Sequence, residues 1–176
     1  METTKNKLDP SVRNFLKNLS EYLNTKLYFY GSVQRNDYIL NKSDIDINIF
    51  TDNIESTVLK LSHYLNVPKS KFKKTFLIIY KDDIYKYKTA GYKIYYTSPN
   101  LISPIEFAIY NEKDKEQLIE ITKEKFNVPL LISLLLMVIK FFFYTVQIIP
   151  LSTYRITKNW LLDQCSETKN MHVTIF

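Results

Sequence analysis

The stretch that decides the fold runs from residue 29 to residue 50 and reads FYGSVQRNDYILNKSDIDINIF. It begins with two aromatic residues, Phe29 and Tyr30, followed by the pair Gly31-Ser32. Gly31 is one of only two glycines in the chain. It closes with Asp44 and Asp46 inside an alternating run of isoleucines. Residues i and i+2 of a strand point to the same face. The pattern therefore predicts a strand with two carboxylates on one face and an apolar core on the other.

Two carboxylates on one strand face raise each other's pKa unless a cation lies between them. Magnesium and similar hard divalent ions prefer carboxylate and phosphate oxygens. Asp44 and Asp46 therefore indicate a metal site that handles phosphates. On these residues alone, a solvated strand edge beside an ordinary Gly-Ser turn remains the alternative.

The order apolar-Gly-Ser, spacer, Asp-apolar-Asp-apolar resembles the signature of the DNA polymerase beta-like nucleotidyltransferase superfamily, over roughly residues 25–110. The resemblance implies a mixed α/β (α+β) fold, in which a nucleotidyltransferase sheet is flanked by helices and carries C-terminal helices packed on it. It also implies that Gly31 and Ser32 approach a nucleoside triphosphate, while Asp44 and Asp46 hold metal ions, Mg²⁺ or Mn²⁺.

A third acid on a later strand completes the metal site in that superfamily. Glu106 lies between apolar neighbours in a segment that predicts a strand, residues 105–110. The resemblance implies that Glu106 is the third ligand and helps to deprotonate the attacking hydroxyl. The alternative is an outward-facing glutamate on an amphipathic strand. Glu112 and Asp114 are weaker candidates, because their charged surroundings are typical of a solvated helix.

Two basic residues are further candidates for nucleotide binding. Arg35 follows the Gly-Ser turn, and its alternative is a solvated loop residue. Residues 134–142, LLLMVIKFF, resemble the helix of poly(A)-polymerase-like and cGAS-like members in which one lysine interrupts an apolar run. The resemblance implies that Lys140 contacts the β- and γ-phosphates. A snorkelling or salt-bridged lysine is the alternative.

The coarse pattern along the chain predicts helices and strands in alternation. Helices are expected near residues 10–23, 52–66, 111–125, 130–149 and 154–164, and strands near residues 27–30, 44–50, 76–80, 84–87, 92–97 and 105–110. Gly91 is expected to separate two of these strands, and Asp82-Asp83 to form a turn.

A length of 176 residues favours one domain, or one domain with a small appendage, and a hydrophobic content of 45% is enough to build a core. We expect a nucleotidyltransferase catalytic core in residues 1–125 and a C-terminal helical segment, packed on that core, in residues 126–176. A net charge of +6 suits a partner that carries phosphates. Abundant Lys, Ile, Asn and Tyr are typical of an AT-rich genome, such as that of a large DNA virus or a parasite.

The lone Cys165 excludes an intramolecular disulfide, and the polar N-terminus lacks the apolar core of a signal peptide. Both features predict an intracellular, reducing compartment, cytoplasmic or nuclear. Residues 130–149 are long enough to span a bilayer, but Lys140 near their centre would cost about 3 kcal/mol. The sequence therefore favours a buried helix of a soluble protein over a membrane anchor without deciding between them.

The function implied by the resemblance is transfer of a nucleoside monophosphate from an NTP substrate to a hydroxyl acceptor, with release of pyrophosphate by a two-metal mechanism. The acceptor is open: an RNA or DNA 3′ end, a protein side chain or a small molecule. A partner subunit is a further expectation, because little chain remains for a separate nucleic-acid domain. The alternatives are a catalytically inactive binding or structural module of the same fold, and a protein anchored to a membrane through residues 130–149.

Overall fold

The computed structural model describes residues 3–81, 84–166 and 168–174. Its helices are α1 (Pro10–Leu23), α2 (Ile54–Leu65), α3 (Lys115–Glu124), α4 (Leu130–Phe141) and α5 (Leu151–Asp163). Its strands are β1 (Leu27–Tyr30), β2 (Ile45–Thr51), β3 (Lys73–Lys81), β4 (Ile84–Tyr96), β5 (Ile105–Asn111) and β6 (Thr168–Thr174).

The strands form one sheet in the order β1-β2-β5-β4-β3-β6. Strands β2 and β5 run parallel, and every other neighbouring pair is antiparallel. The mixed α/β fold predicted from the sequence is confirmed. The parallel pair of β2 and β5 is the feature that positions the site, because its register sets Asp46 directly beside Glu106.

One face of the sheet packs on α1 and α2. Ile45, Ile47 and Ile49 are fully buried there, so the alternating pattern of β2 faces the core as predicted. Asp9 caps the N-terminus of helix α1, because its side chain accepts a hydrogen bond from the Ser11 amide. Pro10 lies in the first turn of the helix. The two helices and the apolar face form the main core.

The other face of the sheet is covered in part by α3. Leu118 and Ile121 of this helix pack on the apolar side chains of the sheet, which are Phe50, Leu77, Ile79, Ala108 and Tyr110. The polar side chains of the same face, around Asp46 and Glu106, line a cavity.

Gly91 does not separate two strands, so that prediction is wrong. Strand β4 is continuous from Ile84 to Tyr96. A β-carbon at Gly91 would lie 2.3 Å from the Ile109 carbonyl oxygen and 2.6 Å from Cδ1 of Tyr110. Gly91 does not form a turn. Its lack of a side chain allows β4 and β5 to approach closely. Asp82 and Asp83, where a turn is predicted, lie outside the described residues.

The C-terminal part differs from the prediction in two ways. Helix α4 ends at Phe141 instead of continuing to residue 149, because residues 142–146 form a π-helical turn and Gln147 takes a left-handed φ of 59°. Residues 168–174 form β6, which pairs with β3, although only helices are predicted after residue 125. Within the described ranges, no helix combines the length and the apolar character needed to cross a membrane.

Candidate active site

Gly31 starts a tight turn that follows β1 and rests on Asp46. Its φ is +70°, a left-handed conformation that glycine adopts without strain. A β-carbon at this position would lie 1.8 Å from Oδ2 of Asp46. Glycine is therefore required for two reasons: the left-handed backbone conformation, and the lack of room for a side chain beside Asp46. The backbone of the turn lies directly against the Asp46 carboxylate.

The three predicted acids line one cavity, of about 540 Å³. Asp44 immediately precedes β2, Asp46 is the second residue of β2, and Glu106 is the second residue of β5. Asp46 and Glu106 are register partners in the parallel pair, and adjacent strands lie ~4.8 Å apart. Asp44, Asp46 and Glu106 thus border the same cavity as Gly31.

The pKa of Asp46 is raised in the folded protein. Burial, followed by the charges of Asp44 and Glu106, raises the pKa of Asp46 to about 7. The positive charges of Lys158 and Lys93 act in the opposite direction but do not cancel the effect. A carboxylate in this state favours a proton or a cation as its partner.

Glu106 is held by two neighbours. Its Oε1 accepts a hydrogen bond from Lys93 Nζ at 2.7 Å and one from the Tyr30 hydroxyl at 3.2 Å. Burial, and then the charges of Glu106 and Asp46, raise the pKa of Tyr30, so its hydroxyl stays protonated as a donor. Sequence reasoning missed Lys93, since only the register of β4 on β5 places it next to Glu106.

A second wall of the cavity is basic. Arg155 and Lys158 of α5 line it, together with the polar side chain of Asn159. Lys125 also lines the cavity, and its Nζ lies 3.3 Å from Oδ1 of Asp163. Sequence reasoning missed all of these. The only available signal was the spacing of three between Arg155 and Lys158, which puts them on one helix face.

Two predicted nucleotide-binding residues are buried next to the turn. Arg35 lines the cavity, but its Nε lies 2.8 Å from Oδ1 of Asp37, in an ion pair shielded from solvent. Ser32 is buried, and within the described chain its hydroxyl has no hydrogen-bond partner. A buried hydroxyl without a partner is uncommon, but Ser32 is not among the residues that line the cavity, so its contact with a nucleotide stays a prediction.

Lys140 lies away from the cavity lining. It is only 1% exposed, and its Nζ lies 2.9 Å from Oδ2 of Asp37. The same nitrogen donates to the Asp37 carbonyl oxygen at 2.8 Å and to Ser43 Oγ at 3.3 Å. A contact between Lys140 and phosphates stays a prediction, and the geometry favours its alternative, a salt-bridged lysine.

The Asp37 cluster, defined as Arg35, Asp37, Ser43 and Lys140, is a buried polar network. Burial opposes the ionisation of Asp37, but the hydrogen bond and charge of Arg35, aided by Lys140, lower its pKa to about 2. Burial lowers the pKa of Lys140 to about 8 in spite of the Asp37 charge. The cluster ties α4 to the segment that connects the Gly31 turn with Asp44.

The fit of a divalent cation rests on the donor set and on Asp46. Three carboxylates border one cavity, and burial together with the charges of Asp44 and Glu106 raises the pKa of Asp46. In the part of the chain that the structure describes, no three His, Cys, Asp or Glu side chains are gathered into a ready metal site. Asp44 and Asp46 supply carboxylate oxygens of the kind that a divalent cation prefers, whereas Glu106 is paired with Lys93.

The comparison with known families decides the identity. A family model described as the nucleotidyltransferase domain matches residues 11–129, which is more than half of the chain. The chain belongs to this nucleotidyltransferase family. The family is part of the polymerase beta-like superfamily, so the resemblance in the sequence is confirmed. No curated protein and no solved structure gives a significant match.

The nucleotidyltransferase match covers the whole acidic side of the cavity. It includes the Gly31 turn, β2 with Asp44 and Asp46, and β5 with Glu106. Helices α4 and α5 lie beyond its end at residue 129, and so do Arg155 and Lys158. The family relationship supports nucleotide binding and nucleotidyl transfer in general terms.

Proposed function

We propose that this nucleotidyltransferase is a metal-dependent enzyme that transfers a nucleoside monophosphate from an NTP to a hydroxyl acceptor and releases pyrophosphate. One observation carries the proposal: Asp44, Asp46 and Glu106 line a single cavity against the Gly31 turn. That arrangement lies within the part of the chain that matches the family.

Asp44, Asp46 and Glu106 are the residues that would hold Mg²⁺ or Mn²⁺. Carboxylate oxygens are the preferred ligands of both ions. A bound divalent ion supplies positive charge that neutralises the acids and stabilises the charge of phosphoryl transfer. Without such charge, the cavity would repel a triphosphate on its acidic side.

The nucleotide is proposed to lie between the Gly31 turn and the basic wall of α5. Gly31 has no side chain, so a phosphate can approach the backbone of the turn. The side chains of Arg155 and Lys158 border the same cavity and provide positive charge for the phosphates. These two residues replace Lys140 as our first candidates for triphosphate contact.

Glu106 is proposed to take the proton of the acceptor hydroxyl. The acceptor oxygen then forms a bond to the α-phosphorus, and the bond from that phosphorus to pyrophosphate breaks. Lys93 Nζ lies 2.7 Å from Glu106 Oε1 and pairs with this carboxylate. Tyr30 orients the same oxygen through its hydrogen bond.

The test is incubation of the protein with each labelled NTP, Mg²⁺ or Mn²⁺, and a panel of RNA, DNA and protein acceptors. Label transfer by the wild type and its loss in Asp46→Asn support the proposal. Asp52→Asn is the matched control, because Asp52 is an exposed acid just after β2 and lies outside the cavity lining. Transfer that survives in Asp46→Asn would refute the assigned chemistry.

One observation favours the second candidate, an inactive binding module of the same fold. Lys93 already neutralises Glu106, so the third carboxylate has a protein partner in place of a metal ion. This candidate is supported if the wild type binds NTP in a metal-independent way and labels none of the acceptors. Metal-dependent nucleotide binding together with transfer excludes it.

A further inference from the structure

Helix α4 has an inverted amphipathic pattern. The side that faces the protein carries two polar residues, Ser133 and Lys140, around Leu136. The opposite side carries seven large apolar residues, which are 37–71% exposed. We call this set the α4 stripe: it comprises Leu130, Leu131, Leu134, Leu135, Val138, Phe141 and Phe142. Helices on a protein surface normally show the reverse arrangement.

The α4 stripe occupies one continuous helix face. Each member has another member three or four residues away, and such pairs lie along the same side of a helix. Ser133, Leu136 and Lys140 follow the same spacing on the opposite side. The exposed apolar surface is therefore a ridge along the full length of α4.

The Asp37 cluster explains why this ridge faces outwards. Lys140 binds both the carboxylate and the carbonyl oxygen of Asp37, inside the protein. Turning the stripe inwards would break that ion pair and leave the buried Asp37 carboxylate with Arg35 alone, which is unfavourable. The polar contact fixes the orientation of the helix and leaves its leucines uncovered.

The area of the stripe matches one side of a stable interface. Taking about 200 Å² for a fully exposed large apolar residue, the stripe presents roughly 700 Å². The largest apolar patch of a typical monomer covers about 300–600 Å². A standard interface buries about 800 Å² on each partner. The exposed area of the stripe is therefore larger than the usual apolar patch of a monomer and close to the area that each partner buries in a standard interface.

We propose that a second copy of this chain covers the α4 stripe, so that two α4 helices pack against each other about a two-fold axis. A two-fold interface uses the same patch on both copies. The stripe has no charged side chain, so two copies with a net charge of +6 each can meet there without placing like charges in contact. Ridges spaced by three and four interdigitate in such helix pairs.

The first test is the mass in solution, measured by sedimentation or light scattering. The wild type is expected to have twice the chain mass of 21.0 kDa. The double variant Leu134→Glu/Leu135→Glu should be a monomer with unchanged circular dichroism, because both residues are exposed in one copy. Leu59→Glu on α2 is the matched control, since Leu59 is 51% exposed outside the stripe, and this variant should remain a dimer.

The second test locates the contact. In a Cys165→Ser background, Leu135→Cys lies near the middle of the stripe and should meet its own counterpart across the axis. It is expected to form a disulfide-linked dimer on mild oxidation, whereas Leu59→Cys should not. A monomeric wild type at micromolar concentration overturns the proposal. A dimer that persists in the Glu double variant and does not cross-link through residue 135 also overturns it.

Discussion

No β-carbon fits between Gly31 and Asp46, because it would lie 1.8 Å from Oδ2 of the carboxylate. The turn proposed to receive the triphosphate and the acid proposed to hold the metal ion are therefore in direct contact. A displacement of either one moves the other. This contact makes the two halves of the sequence signature, Gly-Ser and Asp-x-Asp, a single structural unit.

Gly31→Ala should damage both stability and activity. A left-handed conformation costs a residue with a side chain about 1–2 kcal/mol, and the new methyl group must also push Asp46 aside. We expect a lower melting temperature and at least a tenfold loss of label transfer. Asn36→Ala, an exposed change in the following loop, is the control and should match the wild type. Wild-type activity in Gly31→Ala would contradict the role of the contact.

Asp46→Asn should separate activity from stability. The raised pKa of Asp46 means that the folded protein disfavours its ionised form, and the neutral amide removes that cost. We expect label transfer to disappear while the melting temperature without metal stays the same or rises. Added Mn²⁺ should stabilise the wild type and not the variant. A marked fall in melting temperature would show that Asp46 serves folding instead.

Lys158→Ala and Lys140→Met should give opposite results. Lys158 borders the cavity, so its loss should weaken nucleotide binding about tenfold and leave the melting temperature unchanged. Lys140 is buried on Asp37, so its loss should lower the free energy of unfolding by up to about 3–5 kcal/mol. Titration calorimetry measures nucleotide binding, and thermal unfolding measures stability. Lys17→Ala, at an exposed lysine that does not line the cavity, controls for the loss of one surface charge. If Lys140→Met stayed fully stable and lost nucleotide affinity, the prediction of a phosphate contact would be restored.

Acid should reveal the contribution of Asp37. Its folded pKa of about 2 lies below its ordinary value of 3.8, so its ionisation stabilises the fold above about pH 4. That contribution is lost as the pH falls through 2. The melting temperature of the wild type should exceed that of Asp37→Asn most at neutral pH, and the gap should narrow between pH 4 and pH 2. An equal gap at every pH would mean that the charge of Asp37 does not stabilise the fold.

The acidic side of the site was predictable because it depends on local patterns. Alternation with a period of two put Asp44 and Asp46 on one face of β2, and a lone acid among apolar neighbours singled out Glu106 on β5. The family signature supplied the remaining link, that these two strands are neighbours. The parallel register then places Asp46 beside Glu106.

The basic side was not predictable in the same way. Lys93 contacts Glu106 only because of the register between β4 and β5, which sets Lys93 opposite Ala108 and so diagonally across from Glu106. Arg155 and Lys158 reach the cavity only through the packing of α5. The charge pattern of a single segment does not contain these long-range relationships.

The sequence by itself determined the class of the fold, the Gly-Ser turn and the acids of the cavity, since strand periodicity and glycine conformation act within a few residues. Only the tertiary structure decided which cations meet those acids and which side of α4 faces solvent. An apolar helix predicts burial of its leucines, yet the buried pairing of Lys140 with Asp37 outweighs that tendency and turns the leucines outwards. An unpaired charge inside a protein costs more than an uncovered apolar face, and a second copy is expected to cover that face.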